Sequence, residues 1–378
     1  MKSILFLSSW YPSRVHTSLG NFVSYHANAV ALLNKVNVLY IVPDNNINDY
    51  EISYSENNNV ATTIVYFKRK TFKYLNYWIA FRKGVYFLFQ EKNISIDVVH
   101  MNIMHPAIWQ PLYLNWKYKI PFIVSENWHG LQDLSRYNIG FVKTYLLKLG
   151  FKRAYKLCPV SHQLKNAMVK AGFKSDYKVV PNVVDTDLFK VKKKPEIVDS
   201  FTFLHVSTLD DEIKNVSGII DAFHRLNDST CKLRIIGDGK TDWLIEKIHS
   251  LKLQDVVSVE GEKTYEEISK AMQMAHAFVL FSNIENLPLV LIESLSTGTP
   301  FIATKVGGIP EIFDHEMGIL LEKNDIKGLT NAMKHIKQNY GDYKQANIRN
   351  YALKYFSYKE VGEQFDQLYD NALGNSKK

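Results

Sequence analysis

Residues 281–313 read FSNIENLPLVLIESLSTGTPFIATKVGGIPEIF. An apolar run ends at Phe281 and a loop carries Glu285. Pro288 suits the first turn of a helix, where its missing N–H is not needed. Glu293 then falls among Val290, Leu291, Ile292 and Leu295. A carboxylate in such company costs free energy unless something donates hydrogen bonds to it, and sugar hydroxyls are good donors. With a helix starting near Pro288, Glu285 and Glu293 are at most about 12 Å apart, taking about 1.5 Å of rise per residue. That is about the span from a transferred sugar to the ribose of the nucleotide carrying it. Gly298 stops the helix, a strand follows at 301–303, and Gly307-Gly308 precede Pro310 and Glu311. Such a glycine pair before a helix start can turn backbone N–H groups toward a phosphate. Taken alone, each feature has an ordinary alternative: a capping and a surface glutamate, and a plain turn.

Outward from this stretch, short apolar runs recur at 201–206, 232–236, 256–260, 277–281, 301–303 and 318–321. Between them lie segments with helical spacing, such as Val216-Ile219-Ile220-Phe223 and Ile268-Met272-Ala275. Strand–helix alternation of this kind predicts βαβ units and a parallel sheet. The N-terminal half repeats the grammar, with candidate strands at 4–8, 36–42, 98–101, 122–125 and 157–160. The fold class expected is therefore α/β, with two Rossmann-like parallel-sheet domains facing an interdomain cleft. The basic stretch from Lys190 to Pro195 reads as a linker, because its proline resists helix or central strand. The division expected is an N-terminal domain over 1–190, a C-terminal domain over 191–355 and a final helix over 356–378. Val361, Phe365, Leu368 and Leu373 share one face of that helix, which requires a surface to pack on, the N-terminal domain being one candidate.

A chain of 378 residues with 46% hydrophobic and 22% charged residues suits two soluble globular domains. It has no run of about 18 uncharged apolar residues, so no transmembrane helix is expected. The N-terminal apolar run is too short for a signal peptide and reads as a first strand. Cys158 and Cys231 stand far apart in apolar runs and read as buried free thiols in a reducing compartment. No Cys/His spacing suggests zinc. The net charge of +8 is uneven: residues 1–190 carry 23 Lys+Arg against 11 Asp+Glu, while the remainder carries 23 against 27. The N-terminal half is thus suited to something anionic.

The pattern Glu285-x7-Glu293, then Gly298 and Pro300, then Gly307-Gly308-x-Pro310-Glu311 resembles the retaining GT-B glycosyltransferases of family 4, also called group 1. The likeness runs along nearly the whole chain. Lys232 to Gly239, KLRIIGDG, resembles the family's strand and phosphate-proximal turn; Val180 to Asp185 with Phe189 resembles its interdomain signature; Gly20-Asn21-Phe22 resembles its acceptor-side loop. Phe356-Ser357 and Tyr369 resemble its closing helix. The resemblance implies that Glu285 contacts the transferred sugar and Glu293 the ribose. It places Gly237, Asn286, Leu287, Gly307 and Gly308 with the donor, and Gly20 and Asn21 on the acceptor side. It implies that Lys214 neutralises the diphosphate and that no metal or other cofactor is needed; no D-x-D stands at a strand end. His129, after the strand at 122–125, is taken as the family's histidine, which would bond the donor sugar and shape the reaction centre. It is displaced from the common position, where Asn127 falls, and a structural histidine is a comparable reading. The family's usual Gly-Arg-Leu is here Ser207-Thr208-Leu209, so one cation facing the diphosphate is absent.

Residues 66–90 hold six Lys/Arg, ten aromatics and no acid. They fit a membrane interface, a single-stranded nucleic acid less well, or an aromatic helix packed on the N-terminal sheet with a solvated basic edge. The function expected is metal-independent, hexosyltransferase-type transfer from a nucleotide-sugar to a saccharide or lipid-linked saccharide, in cell-surface polysaccharide or glycolipid synthesis. The site of action expected is the cytoplasm, peripheral to the inner face of the plasma membrane. Rival readings are a nucleotide-sugar epimerase or phosphorylase on the same frame, and a catalytically silent subunit that binds a sugar nucleotide. No G-x-G-x-x-G follows the first strand, which argues against a dinucleotide-dependent dehydrogenase.

Overall fold

The computed structural model describes residues 1–17, 19–57, 59–69, 72–132, 139–192 and 200–375. The chain separates into two compact units, one formed by Met1–Val183 with Tyr358–Lys378 and the other by Val184–Ser357. Part of the expected linker, Lys193 to Pro195, and Lys70 of the basic aromatic stretch lie outside the described residues.

The first unit is built on a seven-stranded sheet. Its strands are β1 (Ser3–Ser8), β2 (Lys35–Pro43), β3 (Tyr50–Asn57), β4 (Val60–Phe67), β5 (Val98–Asn102), β6 (Phe122–Glu126) and β7 (Leu157–Pro159), in the order β3-β4-β2-β1-β5-β6-β7. The runs read as strands from the sequence are buried on both faces, which is why they appear as unbroken apolar blocks. Two strands, β3 and β4, are not among those read from the sequence. β3 is an edge strand antiparallel to β4, so this sheet is parallel except along one edge. β4 absorbs Tyr66 and Phe67, both buried, from the stretch read as a membrane or nucleic-acid surface. Much of the rest of that stretch is also packing. Phe81 and Leu88 are fully buried, and Trp78 sits 4.8 Å from the Trp109 ring and 5.0 Å from the Tyr113 ring. This part of the stretch is an aromatic helix packed on the sheet, while Phe72, Tyr74, Leu75 and Tyr86 remain exposed.

The terminal helix Tyr358–Asn375 belongs to this unit and packs on the helix Asn21–Ala31. Val361, Phe365 and Tyr369 are fully buried. Tyr369 Oη lies 2.7 Å from His100 Nδ1, and His100 Nε2 lies 2.7 Å from Ser125 Oγ, a buried polar chain from the helix into the sheet.

The second unit carries β8 (Phe201–Ser207), β9 (Cys231–Gly237), β10 (Val257–Glu260), β11 (Ala277–Leu280), β12 (Phe301–Thr304) and β13 (Gly318–Leu321). Their order is β10-β9-β8-β11-β12-β13, with every pairing parallel. This is the doubly wound Rossmann order, in which the winding reverses between β8 and β11. The helix Val216–Leu226 buries Val216, Ile219, Ile220 and Phe223 against it, at the spacing its sequence predicts. Cys158 and Cys231 are both buried and free, and burial pushes their thiols up to about 12 and about 11. Among the described residues no helix is long and apolar enough to cross a membrane.

Candidate active site

In a doubly wound sheet, ligands bind outside the carboxyl ends of the strands where the winding reverses. In the second unit that crevice lies between the loop leaving β8 and the loop leaving β11. The first loop is shaped from within the sheet. His205 on β8 is fully buried; its Nδ1 donates to the Val279 carbonyl at 2.8 Å, so its Nε2 accepts from Ser207 Oγ at 2.8 Å. Ser207 Oγ in turn accepts the Leu209 amide at 3.1 Å. Burial foremost, then the Lys214 charge, lowers the His205 imidazole to about 4, so it stays neutral and keeps this tautomer. Leu209 is held at φ +55°, and Asp210 caps the short helix Asp211–Lys214 by accepting the Glu212 amide. Lys214 closes that helix, where a cation is favourable. The Asp211 carboxylate reaches onward to the Ser217 amide and hydroxyl, starting the next helix.

The second loop comes to meet it. Lys214 Nζ lies 2.6 Å from Glu285 Oε1, and Ser282 Oγ donates to the same oxygen at 2.8 Å. The Asn283 amide donates to the Ile213 carbonyl at 2.7 Å, so backbone as well as side chains join the loops. Asn286 and Leu287 follow, both buried. Pro288 caps the helix Leu289–Ser296, just outside the first turn the sequence suggests. Glu293 on that helix is 2% exposed. Among the described residues its carboxyl has no hydrogen-bond or ion-pair partner, and burial alone pushes it up to about 8.

The glycine pair does something other than expected. Gly308 donates its amide to the Asn286 carbonyl at 2.6 Å, so that N–H is already used. Gly307 sits at φ +58°, and a Cβ there would stand 2.1 Å from the Glu285 carbonyl oxygen. The pair therefore lets two backbones touch and so fixes the Glu285–Asn286 segment. The element after it, Ile309–Ile312, is a single 3-10 turn rather than an α-helix. Gly237 serves a similar packing role: a Cβ would meet the Ser207 carbonyl oxygen at 2.0 Å. Thr208, where the arginine is missing, is exposed. Lys214, Glu285, Glu293, Gly237, Asn286, Leu287, Gly307 and Gly308 thus all belong to this one unit. A cavity of about 490 Å³ lined by Thr202, Arg234, Ser258 and His276 also opens on this unit, and none of these site residues lines it.

His129, Gly20 and Asn21 belong to the first unit. Gly20, at φ +79°, precedes the helix Asn21–Ala31, and a Cβ there would overlap the Trp10 carbonyl at 2.4 Å. His129 opens the 3-10 turn His129–Leu131 and is half-buried, while Asn127 at the usual histidine position donates to Asn182 Oδ1 at 3.3 Å. Sequence reasoning passes over Glu126 at the end of β6. It is 1% exposed, its Oε1 accepts the Met104 amide at 2.7 Å, and burial pushes it up to about 8. Its position beside a polar loop is the only signal the sequence carries. Among the described residues no group of three His, Cys, Asp or Glu side chains could hold a metal.

Known proteins agree with this geometry. The family of glycosyl transferases group 1 matches residues 187–355, and glycosyltransferase family 4 matches residues 26–188. Bacillus anthracis N-acetyl-alpha-D-glucosaminyl L-malate synthase is 25% identical over 325 residues, 81% of this chain and 82% of that protein. A component of the phosphatidylinositol N-acetylglucosaminyltransferase of Arabidopsis thaliana is 26% identical over 289 residues, 74% of this chain and 63% of that protein. Among solved structures, Anabaena HepE in complex with UDP-glucose superimposes with a TM-score of 0.75 at 18% identity, covering 98% of this chain and 100% of that one. The fold and the matches define a glycosyltransferase with two Rossmann-like domains of the GT-B type. The chain belongs to the group 1, family 4 glycosyltransferases.

Proposed function

We propose that the protein moves a sugar, with retention and without a metal ion, from a nucleotide-diphosphate-sugar to a saccharide or lipid-linked saccharide acceptor of cell-surface polysaccharide or glycolipid synthesis. The observation that carries this reading is the buried, unpartnered Glu293 carboxyl on the segment that also delivers Glu285 to Lys214. A buried acceptor without a donor is costly, and the ribose hydroxyls of a nucleotide supply two. Glu285 then bonds the transferred sugar. Lys214 shifts toward the diphosphate as it arrives, and the half-buried Gly307 amide faces the same anion. Fixed positive charge of this kind stabilises a leaving group that becomes more anionic as its bond breaks, and it takes the place a divalent cation would have.

In the reaction, the bond from the sugar's anomeric carbon to the β-phosphate oxygen breaks. A bond from the same carbon to the acceptor oxygen forms on the same face. The acceptor's hydroxyl proton passes to the leaving phosphate oxygen, and a nucleoside diphosphate departs. No side chain of the chain is assigned as a covalent nucleophile. His129, Gly20 and Asn21 are assigned to the acceptor side of the reaction centre. The lipid-linked form of the acceptor draws support from the phosphatidylinositol in the name of the Arabidopsis relative. It also draws support from the surplus of cations in the first unit, which suits an anionic membrane surface on the cytoplasmic side. Nucleic acid is not among the partners proposed.

The test is thermal stabilisation by UDP-, GDP-, ADP- and dTDP-sugars in EDTA, for wild type and Glu293→Ala. Ligand that binds the folded state raises Tm. A rise with one nucleotide class, kept in EDTA and lost in the variant, is expected. Stabilisation only when a divalent ion is present would overturn the metal-independent part, and no stabilisation by any donor would overturn the site.

A further inference from the structure

The helix Phe141–Arg153 of the first unit carries two apolar faces. One is spent on the protein: Leu147 and Phe151 are fully buried, and Gly150 lets the helix approach until a Cβ there would be 3.1 Å from Met104 Cε and 3.2 Å from Ile108 Cγ2. The other is bare. Phe141 is 87% exposed, Val142 69%, Tyr145 60% and Leu146 40%. Isolated exposed apolar side chains are common, but four on two successive turns of one helix form a patch of the kind that marks a binding surface. Lys143, Lys148, Lys152 and Arg153 are exposed on the same helix, and none makes an ion pair among the described residues. In the sequence, residues 134–175 contain nine Lys and Arg and no Asp or Glu. A second group stands nearby in the same helical layer. Phe72, Tyr74 and Leu75, at 72%, 70% and 53% exposure, lie at the start of the helix Lys73–Tyr86. That helix and Phe141–Arg153 flank Trp109–Tyr118, and each leaves the carboxyl edge of the sheet, the edge at which such sheets bind ligands.

We infer that the exposed face of the helix Phe141–Arg153 docks on an anionic lipid surface, with Phe141, Val142, Tyr145 and Leu146 inserted among the headgroups and Lys143, Lys148, Lys152 and Arg153 along the helix on the phosphates. Apolar and aromatic side chains flanked by unpaired cations, with no acid on the same helix, are the chemistry of an interfacial helix. A second copy of this chain would bring the same row of cations against itself, which argues for lipid as the occupant. The inference deepens the lipid-linked reading of the acceptor and rests on it: with its Phe141 end at the carboxyl edge of the sheet, the docked helix would bring that edge to the leaflet in which such an acceptor is anchored.

The experiment is co-sedimentation of the full chain with vesicles of phosphatidylcholine alone and of equal parts phosphatidylcholine and phosphatidylglycerol, at low and high salt. Wild type, Phe141→Ser/Tyr145→Ser and Lys148→Gln/Lys152→Gln are compared, with donor-induced thermal stabilisation read on the same samples. Wild type is expected on the anionic vesicles only, released by salt, with binding at least tenfold weaker in either variant and donor stabilisation unchanged. Failure of wild type to bind anionic vesicles, or equal binding by the serine variant, overturns the inference. So does a wild-type dimer that ignores vesicles and becomes monomeric in the serine variant. Donor stabilisation without vesicle binding leaves the transferase reading standing and removes only the lipid surface; vesicle binding without donor stabilisation does the reverse.

Discussion

Lys214 Nζ and Glu285 Oε1 are 2.6 Å apart, and they tie the loop after β8 to the loop after β11 across the point where the sheet reverses its winding. Both side chains are largely buried, at 15% and 8% exposure. The pair therefore holds the crevice in one geometry before any ligand arrives. On the proposed reading, a diphosphate competes with Glu285 for the ammonium, and the freed carboxylate then has a sugar hydroxyl to accept. Lys214→Gln removes the cation proposed to face the leaving group and is expected to lower kcat by about 10²–10³. Glu285→Gln keeps its hydrogen-bonding shape and is expected to cost less in donor affinity than in kcat. Because the two residues share one interaction, the double variant should lose less than the product of the single losses. Steady-state kinetics on the four proteins measure this, and multiplicative losses would show that the pair does not act as a unit.

Glu293 and Glu126 give the unliganded protein a pH dependence with a definite sign. Burial raises both carboxyls to about 8 in the folded state, against an ordinary value of 4.5. Between those values the folded chain holds a proton that the unfolded chain has lost. Stability contributed by the neutral forms is complete below about 4.5 and falls as pH rises toward 8, by about 1.4 kcal/mol per pH unit for each such group. Glu293→Gln should flatten the fall and be more stable than wild type at pH 8. Urea denaturation at several pH values checks it; parallel curves for the two proteins would mean that Glu293 has the same proton affinity folded and unfolded.

How far the site is legible beforehand depends on how locally each part is encoded. The segment from Glu285 to Glu311 carries its own loop, helix, strand and glycine turn, so its residues are legible together. β3 is not, because YEISYSEN alternates polar and half-buried residues along an exposed edge, and β4 is obscured because its last residues, Tyr66 and Phe67, open a run of aromatics and cations. The partner of Lys214 lies 71 residues away, and only the β8–β11 adjacency brings it near. Gly308 misleads for the same reason: its amide is taken by Asn286, a contact made in space and not along the chain. The buried Glu126 carries no periodic signal at all.

The terminal helix makes a measurable contribution to the first unit through one hydroxyl. Tyr369 Oη at 2.7 Å is the partner of His100 Nδ1, and both residues are fully buried. Burial, with the nearby His26 adding to it, holds His100 well below its ordinary value, so the ring is neutral. Tyr369→Phe keeps the ring packing and strands a buried imidazole nitrogen, which typically costs about 1–3 kcal/mol. Chemical denaturation should show that loss, with donor stabilisation of the other unit retained.

Gly307→Ala tests whether the glycine is there for contact or for freedom. A methyl group would stand 2.1 Å from the Glu285 carbonyl oxygen, which is backbone and cannot swing aside, and φ +58° is unfavourable for alanine as well. The Glu285–Asn286 segment must then move away from Lys214. The expected outcome is a stability loss of roughly 1–3 kcal/mol together with loss of donor stabilisation. Gly341→Ala, where a Cβ meets nothing within 4 Å, is the matched control and should leave both unchanged.

Thr208→Arg is expected to improve the enzyme. Thr208 is exposed at the end of β8, six residues before Lys214, and it stands where the family resemblance calls for a diphosphate-facing arginine. A guanidinium there adds charge-assisted hydrogen bonds to an anion that otherwise relies on Lys214. The side chain starts from solvent, so its introduction displaces no packed group; Asp210 and Asp211, which follow it on the same loop, are already committed to the Glu212 and Ser217 amides. The donor Kd should fall several-fold, and the gain should be larger for the intact nucleoside diphosphate than for the monophosphate. Calorimetry with both nucleotides separates the cases. Equal gains would indicate general attraction to an anion, and no gain would place the diphosphate away from the loop that follows β8.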